Sequence, residues 1–427
     1  MAQVADVCVI NAEPGLRFSA VDFELSADQA ALGEAAGALL EGVSPLPALR
    51  RLVESEDAYD ADLWHAIAEQ GWLAVEVPEE EGGLGLGMVE VAVLAEQIGR
   101  RLAPVPVCST LLVCSALRAS VVSGEISPST PIGSRDAASW LDLLAGGGCI
   151  GAVAWSRDMA SVRASALTPQ HASSLTREHA PEGTDQQTAE HGRDRPGRWM
   201  LYGRSDLVVN GPIADFVVVA ATEDGQDEPS LFALAVEPDE RPRREPAMDR
   251  TRSVSWLDLA GREAVRLGRV ESVEALTARA SVAVSAEMLG AAERVLEMTV
   301  SYAKDRVQFG RPIGSFQAVK HRCADMLVDV EGMRSAVYYA AWCVGAMDAD
   351  AQAAASVAKM WCSDAARRVM ASGLQVHGGI GFTWEHDLHL FLKRSQLDQS
   401  SYGDATWHRD RLAGLLRERV GAGASLF

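Results

Sequence analysis

The sequence predicts an α+β fold in three blocks: an N-terminal helical domain over residues 18–148, a middle β-barrel or sandwich over 149–268, and a C-terminal four-helix bundle over 269–427. Three observations predict it. Apolar residues recur every three or four positions up to Leu102 and again after Glu271, as helices burying one face require. Between Ala152 and Leu267 that period gives way to short β runs such as Ala214–Ala221 and Ser230–Val236. A length of 427 residues suits two or three domains with a large core.

Residues 1–17 read as a flexible leader. Ser26 then opens a helix, because Gln29 three residues on completes a capping box and Leu32, Leu39 and Leu40 follow at helical spacing. Asp60–Gln70 is a second helix that Gly71 closes, and the glycines of Pro78–Gly87 force a turn. Val89–Leu102 carries Val91, Leu94 and Ile98 on one face. Inside the β block, residues 165–197 are rich in Ser, Thr, Gln, Pro and charge with no apolar pattern, which predicts a solvated, mobile insertion. Past Glu271, Leu289, Ala292, Leu296, Val300 and Ala303 mark one long helix. Phe316, Cys323, Met326, Val330, Met333, Val337 and Val344 mark a second, and Pro312 with its flanking glycines breaks the chain between them. A third begins near Asp350 and stops at Gly373. Stripes this apolar predict an assembly of at least two chains, with Val330 and Val337 expected at the contact.

Composition excludes several classes of function. A net charge of −20 and a pI near 4.9 leave no basic stripe for nucleic acid. The seven cysteines are scattered, without a C-x-x-C pair or a histidine cluster at metal spacing, which predicts reduced thiols and no zinc site. The first sixteen residues lack a basic n-region, and no apolar run approaches the roughly 20 residues a membrane span needs, so a cytoplasmic location is expected.

Two segments carry chemistry. Arg306–Lys320 reads RVQFGRPIGSFQAVK and Gln375–Phe382 reads QVHGGIGF. Arg306 offers a planar fork of donors suited to a pyrophosphate, and Gly378-Gly379 lets backbone amides approach an anion with no Cβ in the way. With long helices between them, these segments resemble the C-terminal domain of the FAD-dependent acyl-CoA dehydrogenases, and the LWHAIAEQGWLAVEVPEEEGGLGLG run resembles the family's N-terminal domain. The resemblance implies a flavoprotein oxidoreductase removing two hydrogens from an acyl-CoA or acyl-carrier thioester and passing electrons to a separate acceptor. It implies that Arg306, Gln308, Phe309, Gln375, Gly378 and Gly379 reach across a subunit interface to a neighbour's FAD.

The same resemblance exposes what is missing. In most of the family the catalytic base is a Glu at the twenty-first residue counted from the Phe that closes the second motif, which here is Tyr402, with Gly403 kept and Asp404 in place of Thr. A phenol titrates near pH ~10 and is a poor base. A minority of the family places the base ten residues ahead of the glycine matching Gly290; that position is Ala280, followed by Ser281 where Arg is usual. The same-subunit flavin segment is Trp155–Ser161, retaining hydroxyls only at Ser156 and Ser161, and the flavin-packing strand is Leu207–Gly211, without its Trp and Thr. Three readings follow. In the first, the chain is the base-lacking member of an α2β2 acyl-CoA dehydrogenase, completing FAD sites on an unlike partner. In the second it is a self-sufficient homo-oligomer with an unusual base, Asp404 first, then Glu385 or Asp398. In the third the scaffold serves other flavin chemistry on a carrier-bound or biosynthetic substrate.

Overall fold

The computed structural model describes residues 25–55, 57–166 and 197–423. The leader expected at 1–17 and nearly all of the insertion expected at 165–197 lie outside the described residues, although Ser165 and Ala166 close a strand, Val162–Ala166. The N-terminal block holds helices Ala27–Val43, Leu46–Glu54, Ala61–Glu69, Met88–Arg101 and Val107–Ser123, then a two-residue hairpin and helix Ala137–Ala145. The capping box forms as the sequence predicts: the Ser26 hydroxyl accepts from the Gln29 amide and the Gln29 side chain returns to the Ser26 amide. Asp60 caps the third helix by accepting from the Leu63 amide.

The β block closes into a barrel. Strand Phe216–Glu223 pairs antiparallel with Pro229–Ala235 along its whole length, and the ring continues through Asp258–Gly268, Arg198–Arg204 and Val162–Ala166 back to Phe216–Glu223. Gly151–Ala154 runs parallel to the first half of Phe216–Glu223. Alternation along that strand sends Val217, Val219 and Ala221 into one apolar cluster with Phe232 and Leu234. Phe216, Val218 and Ala220 face the other way, into a cluster shared with the helices.

Three long helices, Val270–Asp305, Gln317–Gly345 and Ala351–His377, form the bundle with Leu388–Ser400, and Ala405–Gly421 lies along the third. Helix Met88–Arg101 of the N-terminal block packs against Val270–Asp305 so closely that a Cβ on Gly290 would stand 1.9 Å from the Glu96 carbonyl oxygen, and one on Gly99 would stand 1.9 Å from that of Glu287. The expectation for Val330 and Val337 is corrected here. Both are at most 1% exposed, enclosed by neighbouring helices of the same chain; the apolar residues these long helices leave exposed are others, including Leu327, Val328 and Trp361. No helix among the described residues is long and apolar enough to cross a membrane.

Candidate functional site

Helix Val270–Asp305 stops at Arg306, whose amide still donates to the Tyr302 carbonyl while its own carbonyl accepts from the Ile313 amide. A tight hairpin follows, Val307–Gln308 against Arg311–Pro312, with Phe309 (φ 53°) and Gly310 (φ 77°) at its tip. Phe309 is 92% exposed. Gln308 donates only to the carbonyl of Val307 beside it. The exposed Arg306 guanidinium makes no hydrogen bond or ion pair with any described residue.

Helix Ala351–His377 ends at Gly378, which turns the chain at φ 63° and ψ −141°. A Cβ on Gly378 or Gly379 would meet nothing within 4 Å, so this turn faces open space. Gln375 is exposed on the last helical turn. The two motifs lie at the same end of the bundle, because the Tyr302 ring stacks on the His377 ring with centroids 4.6 Å apart and planes 21° from parallel. An unpaired guanidinium and an open glycine turn side by side are suited to a diphosphate.

The region matching the chain's own flavin ring and base is built in the opposite manner. Trp155 is buried, donates from its indole Nε1 to the Thr277 hydroxyl at 3.2 Å, and meets the Trp407 ring edge-on at 5.1 Å and the Tyr402 ring at 6.4 Å. Ala280 lies in the same apolar cluster, so the structure brings both family base positions, Ala280 and Tyr402, to one place and fills it with rings. Burial raises the Tyr402 phenol further above its usual range, and Ser281 spends its hydroxyl on the Thr277 carbonyl. Ser156 is buried, its hydroxyl accepting from the Asp206 amide at 2.9 Å. Of the two hydroxyls in that segment, that of Ser161 is buried with no partner among the described residues.

The fallback bases separate clearly. Asp404 caps helix Ala405–Gly421 by accepting from the Trp407 amide at 2.8 Å and pairs with Arg157 at 3.0 Å. The Trp407 amide first, and Arg157 after it, hold this carboxyl below the usual range. Glu385 is exposed, and its backbone carbonyl accepts from Arg50. Asp398 is buried, and desolvation first, then the nearby Glu287 charge, lifts it to about 8.

Sequence reasoning missed two buried charge systems beside this region. Glu287 accepts from Arg252 at 2.5 Å and from Arg394 at 3.3 Å, and Arg394 also grips Asp249 at 3.0 Å, tying the loop after the barrel's fifth strand to the bundle. Lys359, fully buried, donates to the Ser363 hydroxyl and to the carbonyls of Gln399 and Gly403, which pins the turn carrying Tyr402 at φ 55°. A buried charge in an otherwise apolar helix pattern is a signal the sequence does contain, but its partners are distant in the chain. No cluster of His, Cys, Asp and Glu that could hold a metal ion occurs among the described residues.

Comparison with known proteins shows the family. Residues 26–122 match the N-terminal domain of acyl-CoA dehydrogenases and residues 272–415 their C-terminal domain. The acyl-CoA dehydrogenase IpdE2 of Mycolicibacterium smegmatis is 32% identical over 372 residues, 87% of this chain and 93% of the relative. The acyl-CoA dehydrogenase FadE34 of Mycobacterium tuberculosis is 31% identical over 83% of this chain but only 42% of its own length. Among solved structures, a chain of the ChsE4–ChsE5 complex from Mycobacterium tuberculosis superposes with a TM-score of 0.75 at 28% identity, covering 93% of this chain and 99% of the other. With helical domains matched on both sides of a closed barrel, and a relative 32% identical over 87% of this sequence, this chain belongs to the acyl-CoA dehydrogenase family.

Proposed function

We propose that this chain is the base-lacking subunit of a hetero-oligomeric acyl-CoA dehydrogenase, and that it completes FAD sites held chiefly by an unlike partner of the same family. One contrast carries the reading: Arg306 and the Gly378–Gly379 turn stand open and unpaired, whereas the position of the chain's own base and flavin ring is occupied by Trp155, Tyr402 and Trp407. The first half fits a diphosphate; in the second, three packed aromatic rings stand where the resemblance puts an isoalloxazine ring, and the Asp404 carboxylate beside them disfavours a diphosphate. FAD, when bound, takes hydride from the carbon next to the one that loses its proton. This chain's part is to hold phosphate through Arg306, to present amides at Gly378 and Gly379, and to cover the flavin from water with Phe309 and Phe382, which are 92% and 72% exposed here. The partner supplies the carboxylate base. ChsE4–ChsE5 is a complex of two named subunits, and FadE34 is more than twice as long as the part matched, which agrees with units of this kind working in pairs.

The experiment is purification with and without a base-bearing family member. The lone chain should be colourless, and the co-expressed complex should be yellow and reduce a dye when given acyl-CoA. A yellow lone chain with dye-reducing activity would establish the self-sufficient enzyme instead. No specific observation favours Asp404 as base in that alternative, since its carboxyl is already committed to a helix cap and an arginine.

A further inference from the structure

The two diphosphate-facing turns leave the ends of different helices, so something must set their separation. Arg306 lies one helical turn beyond Tyr302, and Gly378 directly follows His377. The Tyr302–His377 ring stack therefore sits at the root of both turns. His377 is 3% exposed, and its Nδ1 lies 2.8 Å from the Gly373 carbonyl oxygen. A carbonyl can only accept, so Nδ1 carries the proton, and Nε2 remains a buried acceptor with no partner among the described residues. On its other side the His386 ring meets His377 edge-on at 4.6 Å, and His386 Nδ1 accepts from the Leu388 amide. The glycine turn curls tightly round this ring: a Cβ on Gly381 would stand 3.1 Å from the His377 Cβ.

We propose that Tyr302 and His377 are positioning residues, whose stacked rings set the separation and orientation of the Arg306 fork and the Gly378–Gly379 amides for a diphosphate-bearing cofactor. The proposal rests on the functional reading above. Groups that recognise a ligand must be held within about half an ångström of their working geometry by side chains locked by packing. The stack is nearly parallel, joins the two helices at their ends, and does not itself form part of either exposed turn. Losing it leaves Arg306 and the amides chemically intact but unregistered.

The test uses the FAD-bearing assembly isolated through a tag on this chain, with the dissociation constant for FAD measured by flavin fluorescence and folding followed by thermal melting. Tyr302→Leu should weaken FAD binding about 3- to 10-fold, the range for a lost aromatic pair, while Tyr302→Phe, which keeps the ring, should match the parent. His377→Asn, which retains a donor for the Gly373 carbonyl but not the ring, should behave as Tyr302→Leu does, and should serve if Tyr302→Leu fails to fold. In an Arg306→Ala background the Tyr302→Leu effect should shrink but persist, because the stack then acts only through the Gly378–Gly379 amides. Parent-like FAD affinity in Tyr302→Leu and His377→Asn, or an undiminished effect in the Arg306→Ala background, would overturn the proposal alone. Unchanged affinity in Arg306→Ala itself would overturn the functional reading and this proposal with it.

Discussion

The bundle end at Arg306 and Gly378 and the cluster at Trp155 and Tyr402 both match segments that the family resemblance assigns to flavin, yet one is open and the other filled. At the first, the exposed Arg306 guanidinium has no hydrogen-bond or ion-pair partner among the described residues, the Phe309 ring is exposed, and the Gly378–Gly379 turn faces open space. At the second, two indoles and a phenol pack together and every nearby acid is capped, paired or buried. Random decay would be expected to damage both. Donors left exposed on one side, and a cavity closed on the other, are what a subunit needs when it lends binding groups and does no chemistry of its own.

The largest test of this contrast is to empty the filled side. Trp155→Ala should destabilise the chain by about 3–5 kcal/mol, the usual cost of deleting a buried indole, and the urea midpoint should record it. The truncated lone chain should nonetheless stay colourless; if it binds FAD unaided, the rings were the sole obstacle and the contrast is weaker than drawn. On the open side, Arg306→Ala should cost about 1.5–3 kcal/mol of FAD binding in the assembled complex, and Arg306→Lys should restore only part of it, a point charge replacing a fork. Flavin content after gel filtration decides this, and full occupancy in the alanine variant would remove the open side's role.

A third test uses pH. Asp398 is lifted to about 8 by burial first and Glu287 second, so the folded chain keeps a proton that the unfolded chain releases near pH ~4. From there to about pH 8 the native state binds the extra proton, and this group's contribution to stability falls as pH rises, levelling off above. Asp398→Asn should flatten that slope, seen as a smaller drop in urea midpoint between pH 5 and pH 8. A parent-like slope would mean the proton sits elsewhere in the buried network. The smallest effect is expected at Asp404→Asn, which retains a good helix cap and should leave turnover of the complex within a few-fold; loss of a true general base would cost about 10²–10⁴.

Much of this was readable from local signals. The capping box at Ser26, the break at Pro312 and the glycine turn at Gly378 each depend on residues within a few positions of one another, and each forms in the fold. What the sequence could not convey were meetings of distant residues. Trp155 and Trp407 are ordinary apolar positions until the barrel and the last helix bring them into contact, and Glu287, Arg252 and Arg394 come from three separate segments. Val330 and Val337 teach the complementary lesson. Helical periodicity reveals that a face is apolar but not which neighbour covers it, and here the cover comes from within the chain, leaving other residues such as Leu327, Val328 and Trp361 exposed.

The contact at Gly99 and Gly290 has a mechanical consequence. With room for no side chain at either position, two helices from opposite ends of the sequence touch backbone to backbone, and neither can slide or pivot without driving a carbonyl into the other. The N-terminal block and the bundle are therefore braced against each other at this crossing.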